Sequence, residues 1–546
     1  MIKNGCILDG TGSPWFRGDI GISTGRIDRI GHIDGGNRII DASGLFVCPG
    51  FIDVHTHSDA TILVNPQAES SVRQGVTTHV IGNCGMSLAP ITEKNKEYSL
   101  ARAKQYNVPC TWKSFGEYLN AVEEKGVSIN IVGLVGHGTV RASVMGIDNR
   151  PPTREELDEM KKLVAESMEQ GAFGMSVGLE YIPGCYSDTN ELIECAKVVA
   201  RYNGVYASHS RQRDAKANLA IMEASEIGAN ANVPVRISHI AERYPAPDGG
   251  VERSLKIIDE SRAKGIDISA DEELPPFLDG YAWSTGYLSK ELFQEREPKI
   301  TLDLLRDPDK RRELWAFLAT TQYGPIYTLR GGVWDRVVLI SSKKSPEFIG
   351  RNFQEIARAM GKKSEFGNVS IDKDMEIFNA AIELLIKEGE PDWRKVYVRI
   401  GRFTERDKIV KSASHAAVCF SSDSSVMAPY GILGKGSQSP RSYVSYLQVF
   451  RMHREGRINL PLEEIILKMT AHPAQRFRLF DRGLLRPGMW ADIAIFDKNR
   501  VSDKATHEEP TKYPEGLMYV LVNGQVVVDK SQHNGSLPGK VLRWKP

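Results

Sequence analysis

The chain lacks most of what would tie it to a membrane, a nucleic acid or an oxidising compartment. No apolar run in its 546 residues approaches the ~20 needed to cross a bilayer. The opening MIKNGCILDGTG has no apolar core of the kind a secretory signal needs. Neither sign of charge dominates: 70 Lys and Arg stand against 69 Asp and Glu, a net charge of +1. No global field therefore favours nucleic acid or an anionic membrane as a partner. Cysteine is scarce, with seven residues at 6, 48, 84, 110, 185, 195 and 419 and no CxxC pair. A disulfide framework is excluded on that spacing, and a reducing cytoplasm fits. Internal repeats and low-complexity tracts are absent. The remainder is ordinary for a globular protein, at 41% hydrophobic and 25% charged. Enough apolar surface is available to exclude disorder as the dominant state.

The length allows three or four domains of roughly 150 residues, or fewer if one is an α/β barrel of about 250. Short alternating strands separated by Asp-Gly, Thr-Gly and Gly-Gly occupy the first forty-odd residues. The tail repeats the style, with Asn523-Gly524 set between two β-branched runs as a hairpin signal. Between these ends, near-continuous apolar runs are expected as strands at about 48–55, 77–82, 129–136, 172–178, 205–209, 233–240, 266–271 and 416–423. Helical stretches at 153–170, 188–203, 214–231 and 251–264 separate them. Continuous apolar runs suit parallel strands buried on both faces. Eight such units predict a (β/α)8 TIM-like barrel. An open doubly wound sheet is the alternative, but no G-x-G-x-x-G follows the early strands. The expected division is 1–47 and 480–546 as a β-sandwich built from both termini, 48–283 as barrel strands one to seven, and 416–479 as strand eight with closing helices. Residues 284–415, too long for a connection, are expected as an inserted subdomain with helices at 301–320, 348–361 and 374–388 and strands at Val337–Ser341 and Val396–Ile400. It serves either as a lid or as structural elaboration.

Polar residues collect where barrel chemistry is placed, at the C-terminal tips of strands. His55 and His57 lie at i and i+2 and share a face. Cys84 follows the second strand, His209 ends the fifth, His239 the sixth and Asp423 the eighth. Three N/S ligands with an open position describe a catalytic zinc site. A buried structural thiol is the usual alternative for a lone cysteine. It suits Cys48 and Cys419 better than Cys84, which Asn83 and Gly85 flank.

These residues sit in longer motifs: PGFIDVHTH, GVTTHVIGNCG, GLVGHGTVR, GMSVGLEYIPG, WDRVVLIS, MTAHPAQRF and RGLLRPGMWADIAIFD. With them the chain resembles the amidohydrolase superfamily from end to end, and within it the N-acyl-D-amino-acid deacylases (D-aminoacylases). The resemblance implies a tightly held Zn2+ on Cys84, His209 and His239. It implies a second, weaker metal position on His55 and His57 with Cys84 and Asp423, and Asp423 as the catalytic acid and base. Tyr181 is the implied carbonyl donor, or else a packing residue on a loop. His137, at the third strand's tip, either orients substrate or supports the site. The carbamylated Lys that hydantoinase-like relatives carry at the fourth strand's tip is replaced here by Gly178-Leu179-Glu180.

Three departures bear on the substrate. Where the family carries a Lys two positions after the strand-six His, this chain has Ala241. The family's Asp-x-Tyr-Pro-Tyr after strand seven reads Asp271-Glu272-Glu273-Leu274-Pro275, and its His-Pro-Arg reads Ser439-Pro440-Arg441. The Lys and Tyr resemble a clamp on the substrate carboxylate, and each charge-assisted bond of that kind is typically worth about 1.5–3 kcal/mol. Arg211, Arg243 and Arg441 are the candidates to replace them. The expectation is a zinc-dependent amide hydrolase acting on a small-molecule amide, with recognition residues altered. A cyclic amide or imide hydrolase (hydantoinase- or dihydroorotase-like) is the alternative, and a non-catalytic scaffold on the same fold the third reading. Homo-oligomerisation is left open.

Overall fold

Gly50 divides the strand expected over 48–55. Phe46–Pro49 joins the sheet of the chain termini, pairing with Ile493–Phe496 and with Cys6 and Ile7, whereas Phe51–Asp53 (β1) pairs with Val76–Ile81 (β2). A Cβ at residue 50 would run into the Thr77 side chain, so only glycine lets the chain pass from one sheet to the other here. The structure is a computed structural model. It describes residues 1–545 apart from 214–215, 243–248, 274–279, 283–300, 321–333, 363–370, 391, 401–405, 436–437 and 507–508.

From β2 the barrel continues through Asn130–Gly133 (β3, running on as Val135–Gly136), Gly174–Gly178 (β4), Val205–His209 (β5), Val235–Ile237 (β6), Ile268–Glu273 (β7) and Val418–Ser421 (β8). Each pairs in parallel with its neighbour. The ring closes where Thr56 bridges Ser424 and the Ser422 N–H donates to Asp53 Oδ1 at 3.1 Å. Every residue of these strands is buried, as suits parallel strands covered on both faces. The helices Arg154–Glu169, Thr189–Arg201, Ala217–Ala231 and Gly250–Ala263 lie between strands as expected. Thr153 and Glu156 form a capping box on the first, and Asp188 accepts from Glu191 N–H at the start of the second.

Strands from both ends of the chain make one nine-stranded sheet, in which Ile2, Ile7, Ile20, Val47, Ile493 and Ile495 form a separate apolar core. The C-terminal segment departs from the expected sandwich. Val541–Leu542 lies parallel to β3 beside Ile131 and Val132, and the Trp544 N–H donates to the Gly171 carbonyl at 3.0 Å. Leu542 and Trp544 pack against the barrel's inner core of Ile52, Val80, Val132 and Phe173. The tail thus fills the N-terminal end of the seam between β3 and β4.

The insertion between β7 and β8 has its own core, built on Leu305, Trp315, Trp334, Phe353, Phe378 and Leu385. Its three-stranded antiparallel sheet sets Tyr397–Ile400 between Gly280–Ala282 and Val337–Ser341. The helix expected over 301–320 is interrupted at Asp307, whose φ of −77° and ψ of 117° are extended. Pro308 accounts for this, because its ring disfavours helical geometry in the residue before it. Among the described residues no helix is long and apolar enough to cross a membrane.

Candidate metal centre

The strand ends bring His55, His57, Cys84, His209, His239 and Asp423 into one cluster, buried except at His57 and Asp423, which are partly exposed. The Cys84 Sγ lies 3.2 Å from His55 Nε2, 3.5 Å from His209 Nδ1 and 3.9 Å from His239 Nε2. Asp423 Oδ1 is 3.1 Å from His57 Nε2 and 3.4 Å from His55 Nε2. Ligand atoms of His55, Cys84 and His239 fall within 4.8 Å of one another, as do those of His55, His57 and Asp423. His55 belongs to both groups, so the two candidate metal positions adjoin.

Only His209 lies within a strand; the others stand in the turns that follow. Cys84, His239 and Asp423 take left-handed backbone angles, with φ of 54°, 37° and 45°. Such angles cost a non-glycine residue about 1–3 kcal/mol and persist where surrounding structure enforces them. Gly178 helps make the approach: a Cβ on it would collide with the Cys84 carbonyl.

The donor set fits zinc. Zinc holds thiolate at about 2.3 Å and imidazole at about 2.0–2.1 Å, which in a tetrahedron places sulfur and nitrogen about 3.5 Å apart. The Cys84 separations from His209 and His239 are close to that edge. Metal ligands must be deprotonated, and Cys84, Asp423 and His239 meet this. His209 and His57 are instead raised: burial acts downward, but Cys84 with Glu180 outweighs it at His209, and Asp423 with Cys84 at His57. Burial pushes the Cys84 thiol up, but the His55 and His209 charges outweigh it and hold it well below its ordinary value. Asp423 behaves likewise: burial raises it, while Arg441, His55 and His57 bring it well below the carboxylate range. Burial, with Arg213 and His209 nearby, lowers His239 to about 3, so its imidazole is neutral. For His55 burial acts downward, but Cys84, Asp423 and Asp271 leave it well above the histidine range. A divalent cation would supply the positive charge that this imidazolium provides to a buried thiolate and carboxylate.

Several supporting residues carry no signal of function in the sequence. Glu180 Oε2 is 2.9 Å from His209 Nε2, with both side chains buried, and this directs Nδ1 at Cys84. Beneath the cluster Arg236 pairs with Asp271 and donates to Asn83, all fully buried. Asp271 Oδ1 accepts from His239 N–H at 3.0 Å and from Ser421 Oγ at 2.8 Å, and lies 3.4 Å from His55 Nδ1. The one available clue was Arg236 itself, a charge inside an otherwise apolar strand.

The remaining predicted residues are placed unequally. The Tyr181 ring packs on His209 with centroids 4.6 Å apart. His137 is fully buried and lies 3.0 Å from Glu191 Oε1, which also accepts from Arg141. Arg211 is paired with Glu223 at 3.0 Å and donates to the Cys185 carbonyl. Arg441 Nη1 lies between Glu273 Oε2 at 3.0 Å and Asp423 Oδ2 at 3.2 Å. Arg243 is outside the described residues.

Comparison with known proteins places the chain in a family. The Amidohydrolase family profile matches residues 38–253 and 417–528, leaving the insertion unmatched. A D-aminoacylase of Alcaligenes xylosoxydans xylosoxydans is 30% identical over 99% of this chain and 97% of its own. An N-acyl-D-glutamate deacylase of Bordetella bronchiseptica, solved with zinc and a phosphonate mimic of the tetrahedral intermediate, superposes with a TM-score of 0.75 at 28% identity, covering 99% of this chain and 98% of that one. A D-aminoacylase structure concerned with a binuclear metal centre, one metal activating and the second attenuating, has a TM-score of 0.74 at 27% identity with 99% of both chains covered. This chain belongs to the amidohydrolase family, with the N-acyl-D-amino-acid deacylases, and is a hydrolase of amide C–N bonds.

Proposed function

We infer that the protein is a zinc-dependent, cytoplasmic hydrolase of small N-acyl compounds, holding one tight zinc on Cys84, His209 and His239. A second, weaker position falls to His55 and His57 with Cys84 and Asp423. The observation that carries this reading is Asp423 Oδ1 set against His57 and His55 at the edge of the Cys84 cluster. Bound zinc supplies two things, a water of pKa lowered to about 7 and a polarised carbonyl. Asp423, held deprotonated by Arg441 and the two histidines, takes the water's proton on Oδ1. It then delivers that proton to the leaving amine nitrogen, so one carboxylate serves first as base and then as acid. Tyr181, half-buried with its ring packed on His209, is the donor to the carbonyl oxygen in this reading. Glu180 and Asp271 fix the orientation of the histidines. His137 belongs to the supporting structure, through Glu191, rather than to substrate binding.

Hydrolysis of a cyclic amide or imide is the second reading, since the same donors serve it. Against it, the strand-four tip that would offer a bridging Lys carries Glu180, engaged with His209. Zinc-reconstituted enzyme should be assayed on linear N-acyl compounds of both chiralities beside hydantoin, dihydroorotate and simple lactams. Turnover confined to the linear amides is expected; turnover confined to the rings would contradict the reading.

A further inference from the structure

The charges around Arg441 bear on which amides the site accepts, given the reading of Asp423 as proton donor to the leaving amine. A nitrogen receiving a proton from Asp423 must come within hydrogen-bond reach of that carboxylate. The substituents on the carbon next to that nitrogen then pass beside the group bonded to the other Asp423 oxygen, and that group is Arg441. On position alone this guanidinium is the natural receptor for a carboxylate on the leaving amine. It is already engaged. Glu273, the last residue of β7, places Oε2 3.0 Å from the same Nη1 that contacts Asp423. Glu273 is largely buried, with its side chain 10% exposed, so solvent does little to screen it from an incoming anion.

The other described arginines on these loops are committed elsewhere. Arg211 pairs with Glu223, and Arg213 donates to the Ala241 carbonyl at 3.1 Å. Among the described residues, the Asp423 side of the mouth therefore sets two carboxylates against the Arg441 guanidinium. A third carboxylate arriving with the substrate would need to displace Glu273 or sit against it, and like charges brought together in a partly desolvated site are strongly disfavoured.

We propose that Glu273 is a specificity-determining residue that occupies Arg441 in place of a substrate carboxylate, so that the enzyme takes N-acyl amines whose leaving portion is uncharged or cationic beside the scissile nitrogen. Amino-acid carboxamides and simple amines are in this class; free amino acids are not. The assignment rests on the amide-hydrolase reading but adds a claim that can fail separately.

The test uses two tetrahedral mimics, N-methylphosphonyl-alanine and N-methylphosphonyl-alaninamide, in both chiralities. Their dissociation constants are measured by calorimetry on the zinc-loaded wild type and on E273Q. The wild type should bind the carboxamide at least about tenfold more tightly than the carboxylate, and E273Q should cut that ratio by about tenfold or reverse it. A ratio has the advantage that general damage to the site weakens both ligands and cancels, and the wild-type arm needs no variant to fold. Equal or tighter binding of the carboxylate by the wild type, or an unchanged ratio in E273Q, would overturn the proposal while leaving the hydrolase reading intact. Failure of every mimic to bind would contradict the hydrolase reading itself, and the proposal with it.

Discussion

Glu180 and Gly178 illustrate how a single residue at a strand tip can decide the state of the cluster. Glu180 accepts from His209 Nε2 and so selects the tautomer that presents Nδ1 to Cys84. Carboxylates behind metal-binding histidines are typically worth 10- to 100-fold in metal affinity, so E180A should lose roughly that much zinc affinity in a chelator competition. An unchanged affinity would mean that His209 is oriented by other contacts. Gly178→Ala acts sterically, because its Cβ meets the Cys84 carbonyl. The methyl must push the Cys84 turn away, and overpacking of this kind costs about 1–3 kcal/mol. A lowered unfolding midpoint together with weakened zinc binding is the expected result, and a fully stable, zinc-tight G178A would contradict the close approach. At this scale the clustering of His55, Cys84, His209, His239 and Asp423 was legible in the sequence, because each follows an apolar run that marks a strand. Glu180 was not, since its partner lies on the next strand and no spacing along the chain records that adjacency.

Among the elements, the base of the cluster is held by the cross-strand pair Arg236 and Asp271. These residues lie on β6 and β7, parallel strands in which Arg236 is opposite Ser269 and Asp271 stands two positions further on, and Arg236 reaches on to Asn83 after β2. Asn83 in turn donates to the Val80 carbonyl at 2.9 Å. Removing one partner of a buried ion pair strands the other charge, at a cost of about 3–5 kcal/mol. R236M should therefore lower the unfolding free energy by that order in a denaturant titration, whereas a surface-like change below about 1 kcal/mol would exclude a role as a brace. The C-terminal strand is a second element that sequence pattern misplaced. Val541 and Leu542 follow a β-rich tail, and two apolar residues carry too little periodicity to say which sheet they enter. Trp544 is only half-buried, so W544A should cost less than the 3–5 kcal/mol of a fully buried tryptophan, about 2 kcal/mol. No loss of stability on removing residues 540–546 would show that the β3–β4 seam does not need its plug.

For the whole molecule, the sequence pattern was informative where burial is two-sided and repetitive. The eight parallel strands, the sheet from both termini and the long insertion all follow from apolar runs and their spacing. Boundaries were less legible, because a turn such as Gly50 depends on Thr77 across the sheet and not on its own neighbours in sequence. The insertion packs around Trp315, Trp334 and Phe378 as a core apart from the barrel's, and it lies within a stretch that the family profile does not match. The central claim concerns neither core but the partition of labour at the barrel mouth: Cys84, His209 and His239 hold zinc, and Asp423 moves the proton. The direct measurement is paired zinc content and amide turnover of the wild type and Asp423→Asn. The account predicts that D423N retains the tightly held zinc while its kcat falls by about 10²–10⁴-fold, the usual contribution of a positioned acid–base group. Wild-type turnover in zinc-loaded D423N would contradict it.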